Sequence, residues 1–597
     1  MTGGAATVSA TLRRAQSCYQ AGRLAEAAAL CQEVLGSAPG HFDALYLLAI
    51  LAFQLGHPEE AARLIERAVA INPRSEHALI RRGVILQALC RYPDALASYD
   101  RAVALRPAFA EAWYRRGNVL HDLSRRDDAL ASYDRALAIK PDYVEALYNR
   151  GLILQELMRH SEALASYDRA LALRPDIVDA HYNRGLILHE LRRYDEALAS
   201  YERALGLRPD MHEAISNRGN TLRRLNRYEE ALLCFVQSLR LKPDYVEALV
   251  NKGLVLQDLD RCEDALKSFE EAIRHSPGSP EAHCGAALCR LSLGDFATGW
   301  EEYEWRWRNP QTKGRRHFVE PLWQGREPVA GRTLLLWAEQ GFGDTIQFCR
   351  YAKNLADAGA RVILEVQPAL KSLLSRLDGP AQVVAQGEAL PAFELHCPLL
   401  SLPLAFRTTL ADIPAPAGYI TPDVAKARGW QAILADTRGP RVGLAWSGDA
   451  RHPNDHNRSL PLSGMQALLA VEATFIGVQK EVREADAAFL AAQPAIHRLG
   501  ERVGDFADAA ALIAGLDLLI TVDTSVAHLA GAMGKSVWIL LPHNPDWRWL
   551  RGRDDSPWYP SARLFRQAAP GDWSGVIERL AQNLRELARS LRPAGSP

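Results

Sequence analysis

Residues 520–534 (ITVDTSVAHLAGAMG) carry side chains and spacing suited to binding an anion. An apolar run at 518–522 is typical of a buried strand, and the residues after it, Asp523, Thr524 and Ser525, favour the start of a helix. A helix that begins directly after a strand leaves its first backbone N–H groups without partners, and phosphate binds such groups well. The stretch therefore predicts a phosphate site. The alternative is an ordinary, well-capped strand–helix turn.

A second polar loop has the same setting. Residues 339–344 (EQGFGD) follow a strand-like run at 333–338 and precede a helical pattern at 345–358. Ligands of parallel α/β sheets bind beyond the carboxyl ends of the strands. We therefore expect this loop and the loop at Asp523 to face a common cleft.

The first half of the chain is periodic. Eight prolines are spaced 34 residues apart: Pro39, Pro73, Pro107, Pro141, Pro175, Pro209, Pro243 and Pro277. Glycine, alanine and aromatic residues keep the same spacing within each unit, for example at Gly151, Ala163 and Tyr167. The pattern resembles the tetratricopeptide (TPR) family over residues 8–279, which implies an α-solenoid of about eight helical hairpins.

One polar position recurs in the helix that lines the concave face of such a solenoid: Asn149, Asn183, Asn217 and Asn251. A side-chain amide both donates and accepts hydrogen bonds, so this ladder could hold an extended peptide by its backbone. The ladder resembles the one in O-linked N-acetylglucosamine transferases of the eukaryotic type. Repeat drift at a tolerated polar position is the alternative.

The second half alternates strand-like and helix-like runs, which predicts parallel sheets with helices on both faces. The expected organisation is a TPR array over 1–279, a degenerate repeat and connector over 280–329, and a first Rossmann-like domain over 330–410. A linker over 411–440 and a second Rossmann-like domain over 441–597, with a closing helix, complete it.

The two loops also resemble a known enzyme family over residues 330–580. Gly343 and Asp344 match the Gly-Asp after the first strand of heptosyltransferase-type glycosyltransferases, which have the two-Rossmann (GT-B) fold. Asp523, Thr524 and His528, with the following Leu-Ala, match that family's Asp-Thr-x-x-x-His-Leu-Ala. The family usually has glycine after Asp-Thr, and this chain has Ser525.

The resemblance implies roles for these residues. Inverting transfer needs a base for the acceptor's proton, and Asp344 is the candidate, with capping of its helix as the alternative. The amides of Thr524 and Ser525, with the helix dipole, would hold the leaving diphosphate, and Asp523 and Gly343 belong to the same donor site. His528 would bind a phosphate; the alternative is a core histidine without a binding role.

Three further segments are candidates for donor or sugar binding. In the resembled family a basic residue of the loop at 446–459 meets the phosphates; Arg458 fits, with Arg451 and His452 as competitors. Gln479, followed by a lysine, would hold the nucleoside. The run 543–549 (HNPDWRW) is rich in sugar-binding residue types, or it anchors the two domains together.

Composition excludes several classes. Lys+Arg number 70 and Asp+Glu 71. The chain therefore lacks the basic excess that would indicate nucleic-acid binding. The absence of an Asp-x-Asp motif from the C-terminal half predicts transfer without metal, and no cofactor is expected beyond the nucleotide-sugar co-substrate. Nine scattered cysteines indicate a reducing, cytoplasmic setting. We expect no transmembrane segment, no secretory signal, and a solvated Asp258-Leu259-Asp260 turn.

The sequence thus predicts a glycosyltransferase that moves a sugar from a nucleotide-sugar to a protein or peptide presented by the TPR groove. One alternative is a TPR scaffold with a degenerate, inactive transferase domain. Another is a transferase acting on lipopolysaccharide or another surface glycan. The sequence leaves the donor sugar, the acceptor and a homo-oligomeric state open.

Overall fold

A computed structural model describes residues 2–309, 314, 316–437, 439–452 and 454–590. The chain divides into two compact units, Met1–Leu241 and Lys242–Pro597, and each is described by itself. None of the described helices is long and apolar enough to cross a membrane.

The first unit is helical, and consecutive helices pair into antiparallel hairpins. Its helices are α1 (Thr2–Gln20), α2 (Leu24–Ser37), α3 (Phe42–Gln54), α4 (Pro58–Ile71), α5 (Glu76–Ala88), α6 (Tyr92–Leu105), α7 (Ala110–Asp122), α8 (Arg126–Ile139), α9 (Val144–Glu156), α10 (His160–Leu173), α11 (Val178–Glu190), α12 (Tyr194–Leu207), α13 (His212–Arg224) and α14 (Tyr228–Leu241).

The periodic residues explain the hairpins. A Cβ added at Gly151 would lie 2.6 Å from Cε1 of Tyr167, so the ring packs directly on the backbone of the neighbouring helix. The same contact recurs at Gly117 and Gly185. Because no side chain intervenes, the two helices approach closely, and the buried tyrosine fills the hairpin.

The second unit begins with two more hairpins: α15 (Val246–Asp258), α16 (Cys262–His275), α17 (Pro280–Leu293) and α18 (Phe296–Tyr303), followed by the 3-10 helix Glu304–Arg308. The end of this helical segment packs into the α/β part of the unit. Trp300 is buried against Phe348 and Trp547. The buried Arg306 donates to Glu339 Oε1 at 3.0 Å and to Ser401 Oγ at 2.8 Å.

A four-stranded parallel sheet comes next along the chain, with the order β3-β2-β1-β4. Its strands are β1 (Thr333–Trp337), β2 (Arg361–Val366), β3 (Gln382–Ala385) and β4 (Leu395–Pro398). Its helices are α19 (Phe342–Phe348), α20 (Tyr351–Asp357), α21 (Lys371–Leu374) and α22 (Leu402–Ala405), with short 3-10 turns at Pro368–Leu370 and Leu399–Ser401.

The second sheet has six parallel strands in the order β10-β9-β8-β5-β6-β7. They are β5 (Arg441–Ala445), β6 (Thr474–Gly477), β7 (Ile496–His497), β8 (Leu518–Val522), β9 (Val537–Leu541) and β10 (Ala562–Arg566). Counted from β5, the order is 6-5-4-1-2-3, so the winding reverses between β5 and β8.

The helices that accompany the second sheet are α23 (Val424–Leu434), α24 (Asp455–Arg458), α25 (Gln466–Leu469), α26 (Glu484–Ala491), α27 (Phe506–Ala514), α28 (Ser525–Ala532) and α29 (Ser574–Ser590). Short 3-10 helices lie at Leu462–Met465, Gly500–Arg502 and Trp547–Trp549. Every residue of strands β8 and β9 is buried, so these two strands lie at the centre of the core.

A buried arginine joins three separate segments of the second unit. Arg350, between α19 and α20, donates to the carbonyl oxygens of Gln347, Pro414 and Trp558 at 2.7, 2.9 and 2.8 Å, and to Tyr419 Oη at 3.0 Å. It is 3% exposed, and within the described residues no carboxylate pairs with it. Its charge is balanced by carbonyl dipoles and by the aromatic ring of Tyr419, 4.8 Å away.

The helix expected at 345–358 is two helices. Two carbonyl groups that a continuous helix would use accept other donors: Ile346 O accepts from Tyr419 Oη, and Gln347 O from Arg350 Nε. The chain therefore turns between α19 and α20.

Strands β7 and β10 were not predicted, because β7 has two residues and β10 places charges at both ends of a short apolar core.

Candidate functional site

A cavity of about 720 Å³ opens at the carboxyl ends of strands from both sheets. The loops after β1, β5, β8 and β9 all contribute to it: Gln340–Asp344 from the first sheet, and Asp449, Arg458, Asp523–Ser525, Pro542, Asn544–Arg548 and Arg551 from the second. The two loops expected to face each other do so. Residues of α15, α16 and α17, including Gln257, Cys262 and Ser292, form a further wall.

The start of α28 lies in this cavity. Thr524 precedes the helix with an extended backbone, and its side chain makes no capping hydrogen bond. Ala527 and His528 donate their N–H groups to Thr524 O, whereas those of Ser525 and Val526 have no acceptor among the described residues. The first turn of α28 can therefore still donate hydrogen bonds to an anion.

Arg458 lies against this helix start. Its Nη1 donates to the carbonyl oxygen of Asp523 at 3.1 Å, and its guanidinium packs flat on Gly448, where a Cβ would lie 2.8 Å from Nη2. Arg458 Nε is buried without a hydrogen-bond acceptor among the described residues. The structure thus brings the sequence-predicted arginine next to the predicted phosphate site.

His528 is buried and also lines the cavity. Its Nδ1 lies 2.9 Å from Tyr559 Oη, and its ring stacks on Trp549. Burial, followed by the charges of Arg548 and other arginines, lowers the pKa of His528 well below its usual value, so the imidazole is neutral. A Cβ at Gly343 would lie 2.7 Å from His528 Cδ2; only glycine lets α19 approach α28 this closely.

Asp344 has a partner for each carboxylate oxygen. Its Oδ2 accepts from the backbone N–H of Gly341 at 2.8 Å, which caps α19, and its Oδ1 forms an ion pair with Arg548. The capping role considered from the sequence is therefore present, and Asp344 also lines the cavity. Its function as a base stays a prediction.

Arg548 lies in the run 543–549 considered from the sequence, but sequence reasoning gave this arginine no role of its own. This arginine follows β9, is 8% exposed, pairs with Asp546 at 2.8 Å and stacks its guanidinium 4.4 Å from the Trp547 ring. The available signal was its position between two tryptophans after a buried strand. The aromatic run 543–549 does join the helical end and both sheets, since Trp547 packs against Trp300 and Phe348.

The other candidates in the second sheet are divided. Arg451 and His452 line the cavity, but Arg451 is 91% exposed and pairs with Asp449. Gln479 donates through Nε2 to the carbonyl oxygens of Ser447 and Glu481, and it is not part of the cavity lining. Its side chain ties the loops after β5 and β6 together.

Asp523 supplies a pH-dependent test of this site. Burial, followed by the nearby carboxylate of Asp546, raises the pKa of Asp523 to about 6, above the ordinary value of 3.8. Between about pH 4 and 6 the native state holds a proton that the unfolded chain has lost, so stability falls as the pH rises through that window. The effect is at most about 3 kcal/mol. Urea unfolding from pH 4 to 7.5 should show a shallower decline in Asp523→Asn than in the wild type; parallel profiles would contradict this.

The asparagine ladder lies in two units. In the first, Nδ2 of Asn149, Asn183 and Asn217 donates to the hydroxyl of a tyrosine one repeat earlier, at 3.4, 3.3 and 3.0 Å. A cavity of about 560 Å³ includes Asn183 and its tyrosine, Tyr148. The three amides are therefore held in place by tyrosine hydroxyls of the preceding repeat. Asn251, in the second unit, is half-buried.

The acidic turn of α15 differs from expectation. Asp258 lines the central cavity, and Asp260, whose φ is 61°, forms an ion pair with Arg551 from the loop after β9. The turn is therefore part of the cavity wall and not simply solvated. No group of three or more metal-ligand side chains occurs in the part of the chain that the structure describes.

Comparison with known families identifies the periodic part. Two models described as tetratricopeptide repeat match residues 19–82, 148–212 and 250–302, and one described as TPR repeat matches 91–124, 117–157 and 219–260. Residues 19–302 are a tetratricopeptide-repeat region. This confirms the repeat family predicted from the 34-residue spacing.

One curated relative and several solved structures are similar to parts of this chain. Protein FlbA of Caulobacter vibrioides is 28% identical over 336 residues, covering 51% of this chain and 55% of FlbA, so the chain spans about half of that relative. A structure of YrrB, "a TPR protein with an unusual peptide-binding site", is 26% identical over 32% of this chain and 97% of its own, with a TM-score of 0.30. Pseudomonas aeruginosa PilF is 20% identical over 35% and 94%, with a TM-score of 0.32.

Proposed function

We propose that this protein is a glycosyltransferase that moves a sugar from a nucleotide-sugar to a protein or peptide acceptor, with inversion and without metal. In that reaction Asp344 takes the proton of an acceptor hydroxyl, whose oxygen bonds to the anomeric carbon. The bond from that carbon to the diphosphate breaks, and its electron pair leaves with the nucleoside diphosphate.

The strand order supports a nucleotide-binding domain. The second sheet has the order of the doubly wound Rossmann fold, in which ligands bind beyond the carboxyl edge where the winding reverses. That reversal lies between β5 and β8, and Arg458 and Asp523 belong to the loops after these two strands. The first sheet follows the same order for its four strands, as expected of a two-Rossmann, GT-B-like architecture.

The observation that carries the proposal is the content of one cavity. It contains the start of α28, whose first N–H groups have no acceptor among the described residues, and the guanidinium of Arg458, both from the second sheet. It also contains the carboxylate of Asp344 from the first sheet. An anion-binding helix start with an arginine suits a diphosphate, because both hold fixed positive potential where the leaving group gains charge. A carboxylate on the opposite wall suits the acceptor's proton.

Nucleotide binding tests the donor site directly. We expect UDP, GDP, ADP or CDP to raise the melting temperature of the full chain, because a ligand at 100 times its Kd stabilises the native state by about 2.7 kcal/mol. Arg458→Gln should reduce that shift, with the exposed Arg428→Gln as the matched control. No shift with any nucleotide, and no transfer from a nucleotide-sugar panel, would reject the proposal.

The TPR region supports a polypeptide acceptor, because arrays of this kind bind proteins. Replacing Asn149, Asn183, Asn217 and Asn251 together with Ala should raise the KM for a protein acceptor at least tenfold, since several hydrogen bonds of about 1 kcal/mol each are lost. Nucleotide binding should not change. Gln237→Ala, an exposed amide elsewhere on the array, serves as control. Unchanged acceptor kinetics would favour a surface-glycan acceptor with the repeats used only for recruitment.

A non-catalytic scaffold is the second candidate, and one contact favours it. Both oxygens of Asp344 have partners in the structure, so each has only one of its two lone pairs left for an acceptor proton. A scaffold would bind proteins through its TPR region and would neither bind nucleotides nor turn over a nucleotide-sugar.

A further inference from the structure

Arg548 connects the candidate base to the opposite wall of the cavity. Asp344 lies in the first turn of α19, the helix after β1 in the first sheet, and Arg548 lies in the loop after β9 in the second. Their ion pair therefore crosses between the sheets, and the Arg548 side chain is 9% exposed. A second carboxylate, Asp546, holds the other terminal nitrogen at 2.8 Å.

This ion pair gives the candidate base a competing partner. Its Oδ2 accepts the N–H of Gly341, and its Oδ1 is occupied by a cation. A general base must present a lone pair within about 3 Å of the proton it removes. The guanidinium takes one of the two lone pairs of Oδ1 and competes with an acceptor hydroxyl for that oxygen.

The same arginine lies within electrostatic reach of the α28 start. Its charge acts on both His528 and Asp523, the residues that flank that helix turn. Arg548 Nε is buried without a hydrogen-bond acceptor among the described residues, so the side chain still has a donor to satisfy. Guanidinium groups bind phosphate oxygens in the same forked geometry as carboxylates.

We propose that Arg548 is a positioning residue that exchanges Asp344 for the diphosphate of a bound nucleotide, and so frees the base only when the donor is in place. This proposal rests on the proposed function. No covalent bond changes in the exchange: the guanidinium loses one carboxylate contact and gains contacts to phosphate oxygens. Without a bound nucleotide, Asp344 stays paired with Arg548.

Competition for Arg548 predicts that removing the Asp344 carboxylate raises the affinity for nucleotides. In Asp344→Asn the arginine has no carboxylate on that side to leave, so nucleoside diphosphates should bind about tenfold more tightly than to the wild type. Asn keeps an oxygen for the Gly341 N–H, which preserves the helix cap. Isothermal titration of the full chain with UDP, GDP, ADP and CDP measures the change.

Two comparisons separate this exchange from general electrostatics. Asp357→Asn removes an exposed carboxylate of the same unit that pairs with Lys353 and is not part of the cavity lining, and its nucleotide affinity should change less than twofold. In an Arg548→Gln background, Asp344→Asn should give no gain, whereas an Arg548→Lys background should retain part of it. Melting temperatures check that each variant is folded.

The outcomes are distinct. If the wild type binds a nucleotide and Asp344→Asn binds it no more tightly, the exchange is wrong while the proposed function stands. A tenfold gain in Asp357→Asn, or a full gain in the Arg548→Gln background, overturns the exchange as well. If no nucleoside diphosphate binds the wild type, the proposed function itself fails.

Discussion

Replacing Asp344 with Asn should lower the turnover of sugar transfer by about 10²- to 10⁴-fold, the range that a positioned general base contributes. The substitution removes the proton acceptor and keeps the side chain's size and its bond to the Gly341 N–H. Nucleotide affinity should not fall, because among the described residues Asp344 bonds to Gly341 and Arg548 and not to the N–H groups at the start of α28. Initial rates with a nucleotide-sugar and an acceptor protein, combined with titration of the nucleoside diphosphate, measure both quantities.

The control is Asp357→Asn, an exposed carboxylate on α20 that pairs with Lys353 at 3.0 Å. It should retain wild-type turnover, because it lies on a solvent-facing helix turn. Equal losses of turnover and of nucleotide affinity in Asp344→Asn would assign Asp344 to structure alone and would leave the reaction without its candidate base.

Arg350→Met should destabilise the second unit by about 3–5 kcal/mol. The change leaves the carbonyl oxygens of Pro414 and Trp558 buried without their donor, and each such loss costs about 1–3 kcal/mol. Chemical denaturation followed by tryptophan fluorescence should show an earlier transition. Tryptophan reports mainly on this unit, because Trp113 alone of the 13 tryptophans lies before residue 242.

Arg350→Lys should not restore stability, since one ammonium group cannot reach acceptors on three segments at once. Arg428→Met, on the exposed face of α23, is the matched control and should change stability by less than about 0.5 kcal/mol. A wild-type transition in Arg350→Met would mean that Arg350 does not hold these segments together.

The fold could be predicted from the sequence where it depends on residues close together along the chain. Each hairpin depends on residues within one 34-residue unit, such as Gly151 and Tyr167, so its signal repeats along the chain. The buried strands β1, β5 and β8 are short apolar runs followed by loops. The break between α19 and α20 was not accessible, because it depends on Tyr419, about 70 residues away along the chain.

The site divides in the same way. Asp523, Thr524 and Arg458 follow strands whose carboxyl ends meet at one edge, so their proximity could be inferred from topology. The ion pair of Asp344 with Arg548 joins residues 204 positions apart, and no local pattern reports it. The side-chain amide of Gln479 has the right location along the chain, but its bonds to loop carbonyls direct it elsewhere.

The wall formed by α15, α16 and α17 has a consequence for how such a chain can change in evolution. Repeats in the first unit can be gained or lost in steps of 34 residues without altering any residue that lines the central cavity. The last two hairpins lack that freedom, because Asp258 and Cys262 are part of the cavity and Asp260 holds Arg551. Array length is therefore expected to vary upstream of Lys242 and to be fixed downstream of it.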